Sequence, residues 1–129
     1  MEQFPKSFLT ESLLFECRTR LIEARRDILD RVRAGREEFE HLDKSGGDEA
    51  DQTMSLLAEN DFLTSQQRLM ERLIEVDLAL ARLESGHYGI CEETDEPIEI
   101  ERLRAIPWTR LSIEGAEIRE TIKRRFARS

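Results

Sequence analysis

Three acidic side chains, Asp48, Glu49 and Asp51, follow a helix-breaking Ser45-Gly46-Gly47. Asp48 and Asp51 are three apart, so on a helix they share a face. Carboxylates placed this way can touch charged or mobile parts of a partner, or lend oxygens to a magnesium ion in the partner's site. Equally, they can cap a helix start and suit its dipole. A second set lies further along the chain. Cys91 and Thr94, then Ser112 and Gly115, fall on the frame of a tetrahedral zinc site: two ligands three apart, and a second such pair about twenty residues on. One thiolate does not make that site, so no structural zinc is expected. His87 with Glu92, Glu93, Asp95 and Glu96 offers either a weak site for a hard cation or a solvated turn. His41, beside acidic residues, reads as part of a solvated helix end. There is no nucleophile motif, and Ser45-Gly46-Gly47 lacks the lysine of a phosphate-binding loop, so no enzymatic activity is expected.

The elements that position these residues are mostly helical. Thr10 is the N-cap candidate of a first helix over about residues 11–41. Its apolar positions Leu14, Cys17, Leu21, Ala24 and Ile28 alternate by three and four, as in a helix packed on another helix. After a stutter the seam continues through Val32, Gly35 and Phe39. Two adjacent glycines then cost a helix roughly 2 kcal/mol, so the chain turns there. A second helix over residues 50–84 carries the seam Phe62, Gln66, Leu69, Leu73, Val76, Leu80 and Leu83. The two helices should pair antiparallel as a coiled-coil hairpin with its acidic tip near 43–53, each about 45 Å long. Pro5 keeps the lead (residues 1–9) out of the first helix.

Ser85-Gly86 stops the second helix. His87 to Cys91 and the alternating Ile98-Glu99-Ile100 predict a small knuckle built on a short β-hairpin, held by Tyr88, Ile90, Ile98, Ile100 and Trp108. A final helix within about 112–127, its start weakened by Gly115, packs on the base of the hairpin. The predicted fold is therefore mostly α, with residues 1–85 forming lead and coiled-coil hairpin and residues 86–129 the globular base and C-terminal helix.

Composition narrows the function. Of 129 residues, 37% are charged and only 6% aromatic, which suits long solvated helices. The net charge of −8 disfavours general binding to phosphate backbones, and no direct sequence-specific DNA binding is expected. Arg119, Lys123, Arg124, Arg125 and Arg128 crowd the C-terminal end, either as a contact patch or as cations suited to a helix C-terminus. No apolar run is long enough to span a membrane, and the first residues lack the apolar stretch of a secretory signal, so a cytoplasmic protein is expected. Two distant thiols, Cys17 and Cys91, make no disulfide framework. The intramolecular hairpin implies a monomer.

The phrase Arg82-Leu83, Gly86-His87-Tyr88-Gly89-Ile90-Cys91, Pro97-Ile98, then Arg102-Leu103, Ala105 and Pro107 resembles the DksA/TraR family of bacterial transcription factors, and the order of parts extends the likeness over nearly the whole chain. The family's zinc frame is two Cys-x-x-Cys pairs. This chain keeps Cys91 and has Thr94, Ser112 and Gly115 at the other ligand positions, so it is similar to the members with a degenerate finger. The resemblance implies a coiled-coil hairpin on a globular base, docked at the secondary channel of RNA polymerase, with the tip altering initiation complexes. The tip motif Asp-x-x-Asp-x-Ala falls on Asp48, Asp51 and Thr53, the last bulkier and polar where the motif has alanine. Arg68 matches a family arginine and is the implied docking contact. The basic residues that help build a ppGpp site in the family correspond here to Glu75, Ile106 and Ala116, so that site is not expected. Two other readings remain: a coiled-coil adaptor for some other protein, and a polymerase factor that promotes transcript cleavage by lending carboxylates to magnesium.

Overall fold

The computed structural model describes residues 9–41 and 49–128. Asp48, the glycine break and the first eight residues of the lead lie outside them. Four helices follow in order: α1 (Glu11–Glu40), α2 (Glu49–Ser85), α3 (Ile100–Ala105) and α4 (Ile113–Arg128). The chain is mostly α-helical, and among the described residues no helix is long and apolar enough to cross a membrane. It divides into two compact units: residues 24–74 form one, and the chain up to Glu23 with the chain from Glu75 onward forms the other.

Residues 24–74 are an antiparallel helix pair. The rings of Phe39 and Phe62 stack with centroids 4.3 Å apart. Further along, Gln66 Nε2 donates to the Val32 carbonyl at 3.2 Å. Gly35 makes room for this: a Cβ there would sit 2.8 Å from Gln66 Nε2. The polar seam residue and the seam glycine therefore explain each other. Ile28 is buried, and the seam positions of both helices are withdrawn from solvent while most residues between them are exposed.

In the other unit, Thr10 Oγ1 accepts from the Leu13 N–H at 3.0 Å, the expected N-cap of α1. Leu13, Cys17 and Leu21 of α1, Val76 and Ala79 of α2, and Tyr88, Cys91, Ile98 and Leu103 form the core. Leu13, absent from the predicted seam, is buried, whereas Leu14 is only half-buried. Gly86 ends α2 with φ +79°, and the His87 N–H bonds back to the Arg82 carbonyl at 3.0 Å, a glycine C-terminal stop.

The knuckle departs from the predicted hairpin in one respect. Its strands shrink to a single antiparallel bridge, Ile90 with Pro97. Ile98 is buried, but Ile100 is exposed and opens α3 instead of continuing a strand. Leu103, three residues on, is the buried anchor of that helical turn, and its N–H bonds to the Glu99 carbonyl at 3.0 Å. The reversal between the bridged residues is tight: the Cys91 N–H donates to Glu96 O at 2.8 Å and the Asp95 N–H to Cys91 O at 2.9 Å, with Asp95 at φ +59°. Aspartate tolerates that left-handed conformation better than most residues.

Candidate functional site

The acidic start of α2 is the first candidate. Glu49 and Asp51 lie in its first turn, and residues 49–57 are all exposed. The position suits their charge, because the helix N-terminus carries partial positive charge. Thr53 is exposed too, and its hydroxyl donates to the Glu49 carbonyl one turn back at 3.0 Å. What Thr53 offers outward is therefore chiefly its methyl group. Asp48, the other expected tip residue, lies outside the described residues. Arg68, the expected docking residue, is exposed on α2.

The second candidate is the four-position finger frame, which the fold does bring together. Cys91 is fully buried. Burial pushes its thiol up, but hydrogen bonds from the Ser112 and Thr94 hydroxyls and from the backbone at the same two residues outweigh it, and bring the thiol down to about 7. Ser112 also caps α4, its Oγ accepting from the Gly115 N–H at 3.0 Å. A Cβ built on Gly115 would fall far inside contact distance of the Cys91 sulfur. The sulfur thus occupies the space that a fourth ligand's side chain would need. One thiolate, two hydroxyls and no side chain at residue 115 do not fit tetrahedral zinc. Among the described residues no group of three or more His, Cys, Asp or Glu side chains could hold a metal ion. His87 is turned to the end of α2, its Nδ1 3.0 Å from Ser85 Oγ.

The acidic run Glu92-Glu93 is tied to α4. Arg119 Nε donates to Glu93 Oε2 at 3.0 Å, and Glu92 lies 3.7 Å from Arg119 and 3.6 Å from Arg110. Sequence reasoning left Arg119 within a basic patch; here it faces the knuckle. Two arginines of the quoted phrase hold backbone oxygens. Arg82 reaches the carbonyls of Trp108 and Thr109, both at 3.4 Å. Arg102 Nε donates to Leu111 O at 2.8 Å. Nearby, Arg104 lies 3.4 Å from Glu16, which also faces Arg20, and Arg20 donates to the Arg104 carbonyl. Burial draws the Arg82 guanidinium below its usual value, with Glu92 opposing. Tyr88 OH donates to Pro107 O at 2.8 Å, and burial, helped by Cys17, pushes the phenol up. Glu99 was also unforeseen: its carboxylate accepts from the Ile113 N–H at 3.1 Å. Such side chain–backbone pairs between distant residues leave no periodic signal.

The Cys91 thiol has a testable pH signature. A folded-state value near 7 against an ordinary 9.0 means the thiolate's stabilisation is fully present above 9.0 and is lost as pH falls through about 7. The sulfur is shielded from solvent but lies close to the surface of the knuckle, so the effect expected is about 1–2 kcal/mol. Urea unfolding at pH 6 and pH 9 should show the stability gap between wild type and Cys91→Ala widening at pH 9. A gap that is the same at both values contradicts the thiolate.

Residues 86–120 match the family model of the prokaryotic dksA/traR C4-type zinc finger. The chain is 34% identical over 120 residues to the RNA polymerase-binding transcription factor DksA of Caulobacter vibrioides, covering 91% of this chain and 82% of that protein. Its fold is similar to the structure of transcription factor DksA2 from Pseudomonas aeruginosa, with a TM-score of 0.80, 31% identity, and coverage of 95% and 94% of the two chains. The RNA polymerase binding protein and transcriptional regulator Dks from Chlamydia trachomatis, at 22% identity and a TM-score of 0.55 over 88% of this chain and 93% of that one, shares the fold.

Proposed function

The chain belongs to the DksA/TraR family, and on that premise we propose that it is a transcription regulator that binds RNA polymerase and acts on initiation through the secondary channel. The observation that supports this most is the similarity to the Caulobacter polymerase-binding factor across nearly the full chain, which includes both helices and the knuckle. Arg68 on α2 is the proposed docking contact. Asp48 and Asp51 are the residues proposed to reach mobile active-site elements and to bias the stability of open complexes electrostatically.

The knuckle serves as a scaffold without zinc, held by the Cys91 cradle and the Arg119–Glu93 pair. Glu75, Ile106 and Ala116 supply no cation, so ppGpp is not bound in the family's manner. The protein carries out no catalysis of its own, makes no direct sequence-specific contact with DNA, and works in the cytoplasm with its polymerase.

Binding of the full chain to core RNA polymerase of its own organism, with initiation measured alongside, tests the reading. Arg68→Ala is expected to weaken binding by about tenfold, the loss of one charge-assisted contact. Thr53→Val, which removes the hydroxyl and keeps the methyl, is expected to leave both binding and regulation within about twofold, because that hydroxyl is already engaged by Glu49 O. Absence of saturable binding overturns the proposal. A large loss of regulation with Thr53→Val would instead make the hydroxyl a contact in its own right.

A further inference from the structure

Within residues 24–74, α2 runs on past the end of α1. The Phe39–Phe62 stack and the Gln66–Val32 bond set the antiparallel register, which brings Glu40, the last residue of α1, level with Asp61. α2 begins at Glu49, twelve residues before that level, and so extends about 18 Å beyond α1. Among the described residues no helix lies beside this stretch, and residues 49–57 are exposed. The face that meets α1 nevertheless continues along it. Asp51 is eleven residues from Phe62, which is three turns and about 20°, so the two side chains leave the helix on the same side. Asp51 thus stands on the seam face, and is exposed there because α1 has ended.

The direction of this stretch is set where it leaves α1. Two contacts lie there. The rings of Phe39 and Phe62 meet face to face, 13° from parallel, which restrains the rotation of α2 about its own axis as well as its distance from α1. One turn further from the tip, Gly35 lets the Gln66 amide come close enough to bond the Val32 carbonyl. Phe62 lies about 16 Å along α2 from Asp51. A tilt of about 20° at the stack therefore moves residue 51 by about 6 Å, roughly twice the length of a hydrogen bond. Arg68 is turned about 120° from Phe62, so the proposed docking residue takes no part in the contact. We infer that Phe39 and Phe62, backed by the Gly35–Gln66 pair, form the joint that aims Asp51, and are positioning residues for the tip. The inference rests on the reading that Asp51 acts on polymerase, but the joint can be measured without polymerase. Simple apolar adhesion between the helices would be served as well by leucine as by phenylalanine at residue 39, whereas the restraint on direction needs the flat ring.

Electron–electron double resonance between nitroxides at positions 26 and 54 of the full chain tests it. Both sites are exposed, they leave Asp51 intact, and they lie about 32 Å apart along the helix pair. One narrow distance distribution is expected for the chain with Phe39 in place, and one at least half as wide again for Phe39→Leu, with helicity by circular dichroism unchanged. Phe39→Tyr, which keeps a ring, should restore the narrow distribution. Should Phe39→Leu lose helicity, Gly35→Ala decides in its place, because alanine favours the helix while its Cβ, 2.8 Å from Gln66 Nε2, displaces the amide. With polymerase, Phe39→Leu should bind within about twofold of wild type and lose at least fivefold of the effect on initiation, and Phe39→Tyr should keep both. A distribution as narrow in Phe39→Leu as in wild type overturns the inference. So does full regulation in a chain whose distribution has widened, or a loss of binding in step with regulation. A wild type that does not bind polymerase would defeat the proposed function instead, and the distance distributions would still decide whether the joint holds the start of α2.

Discussion

Asp51→Asn is expected to leave binding to RNA polymerase within about twofold of wild type and to remove most of the effect on initiation. Asparagine matches aspartate in shape and serves nearly as well at a helix start, so the fold is unaffected. What disappears is one negative charge in the exposed first turn of α2. A hydrogen bond to a charged group contributes about 1.5–3 kcal/mol, so the shift that bound factor imposes on the open-complex equilibrium should shrink about 10–100-fold. Binding assays and an initiation assay on the same preparation separate the outcomes. Loss of binding would place Asp51 at the docking surface. No change in either would leave it with the capping role that its position also permits.

Gly115→Ala is the substitution expected to damage the fold most for its size. Residue 115 lies in the first turn of α4, where helix propensity alone favours alanine by about 1 kcal/mol. The packing predicts the opposite sign. The added Cβ would meet the Cys91 sulfur far inside contact, with Glu93 Cβ at 3.3 Å and Ser112 Oγ at 3.4 Å. These neighbours are buried or ion-paired and yield little. Overpacking of this kind costs about 1–3 kcal/mol and occasionally more. Urea unfolding should show that loss, and Cys91→Ala in the same chain should recover part of it, since the two residues compete for one space. A Gly115→Ala chain as stable as wild type, or more stable, contradicts the close packing of sulfur against α4.

The helices were legible in the sequence because their seams repeat. Leu21, Ile28, Val76 and Phe39 fall where the alternation of threes and fours puts them. Leu13 escaped because it lies beside the seam and is buried in the unit that contains the knuckle. The knuckle was harder to read. Ile98-Glu99-Ile100 alternates like a strand, yet a six-residue helix begins at Ile100, too short for a helical period to declare itself. What decided it was Leu103, whose burial depends on residues distant in the chain. Gly115 was readable as a weak point in a helix, but not as the space that the sulfur of Cys91 fills. The arginines of the phrase were readable as a family signature; their targets, the carbonyls of Trp108, Thr109 and Leu111, were not. Hydrogen bonds to backbone leave no trace in the identity of the acceptor residue.

The proposal that the start of α2 reaches the polymerase active site is tested most directly by a photocrosslinker at position 51, in the folded full chain mixed with core RNA polymerase of the same organism. The expected product joins position 51 to active-site elements inside the secondary channel, and excess unlabelled chain suppresses it. A folded chain that gives no crosslink there, or one only on the outer surface of polymerase, contradicts the account, and would leave the helix pair as an adaptor for another protein.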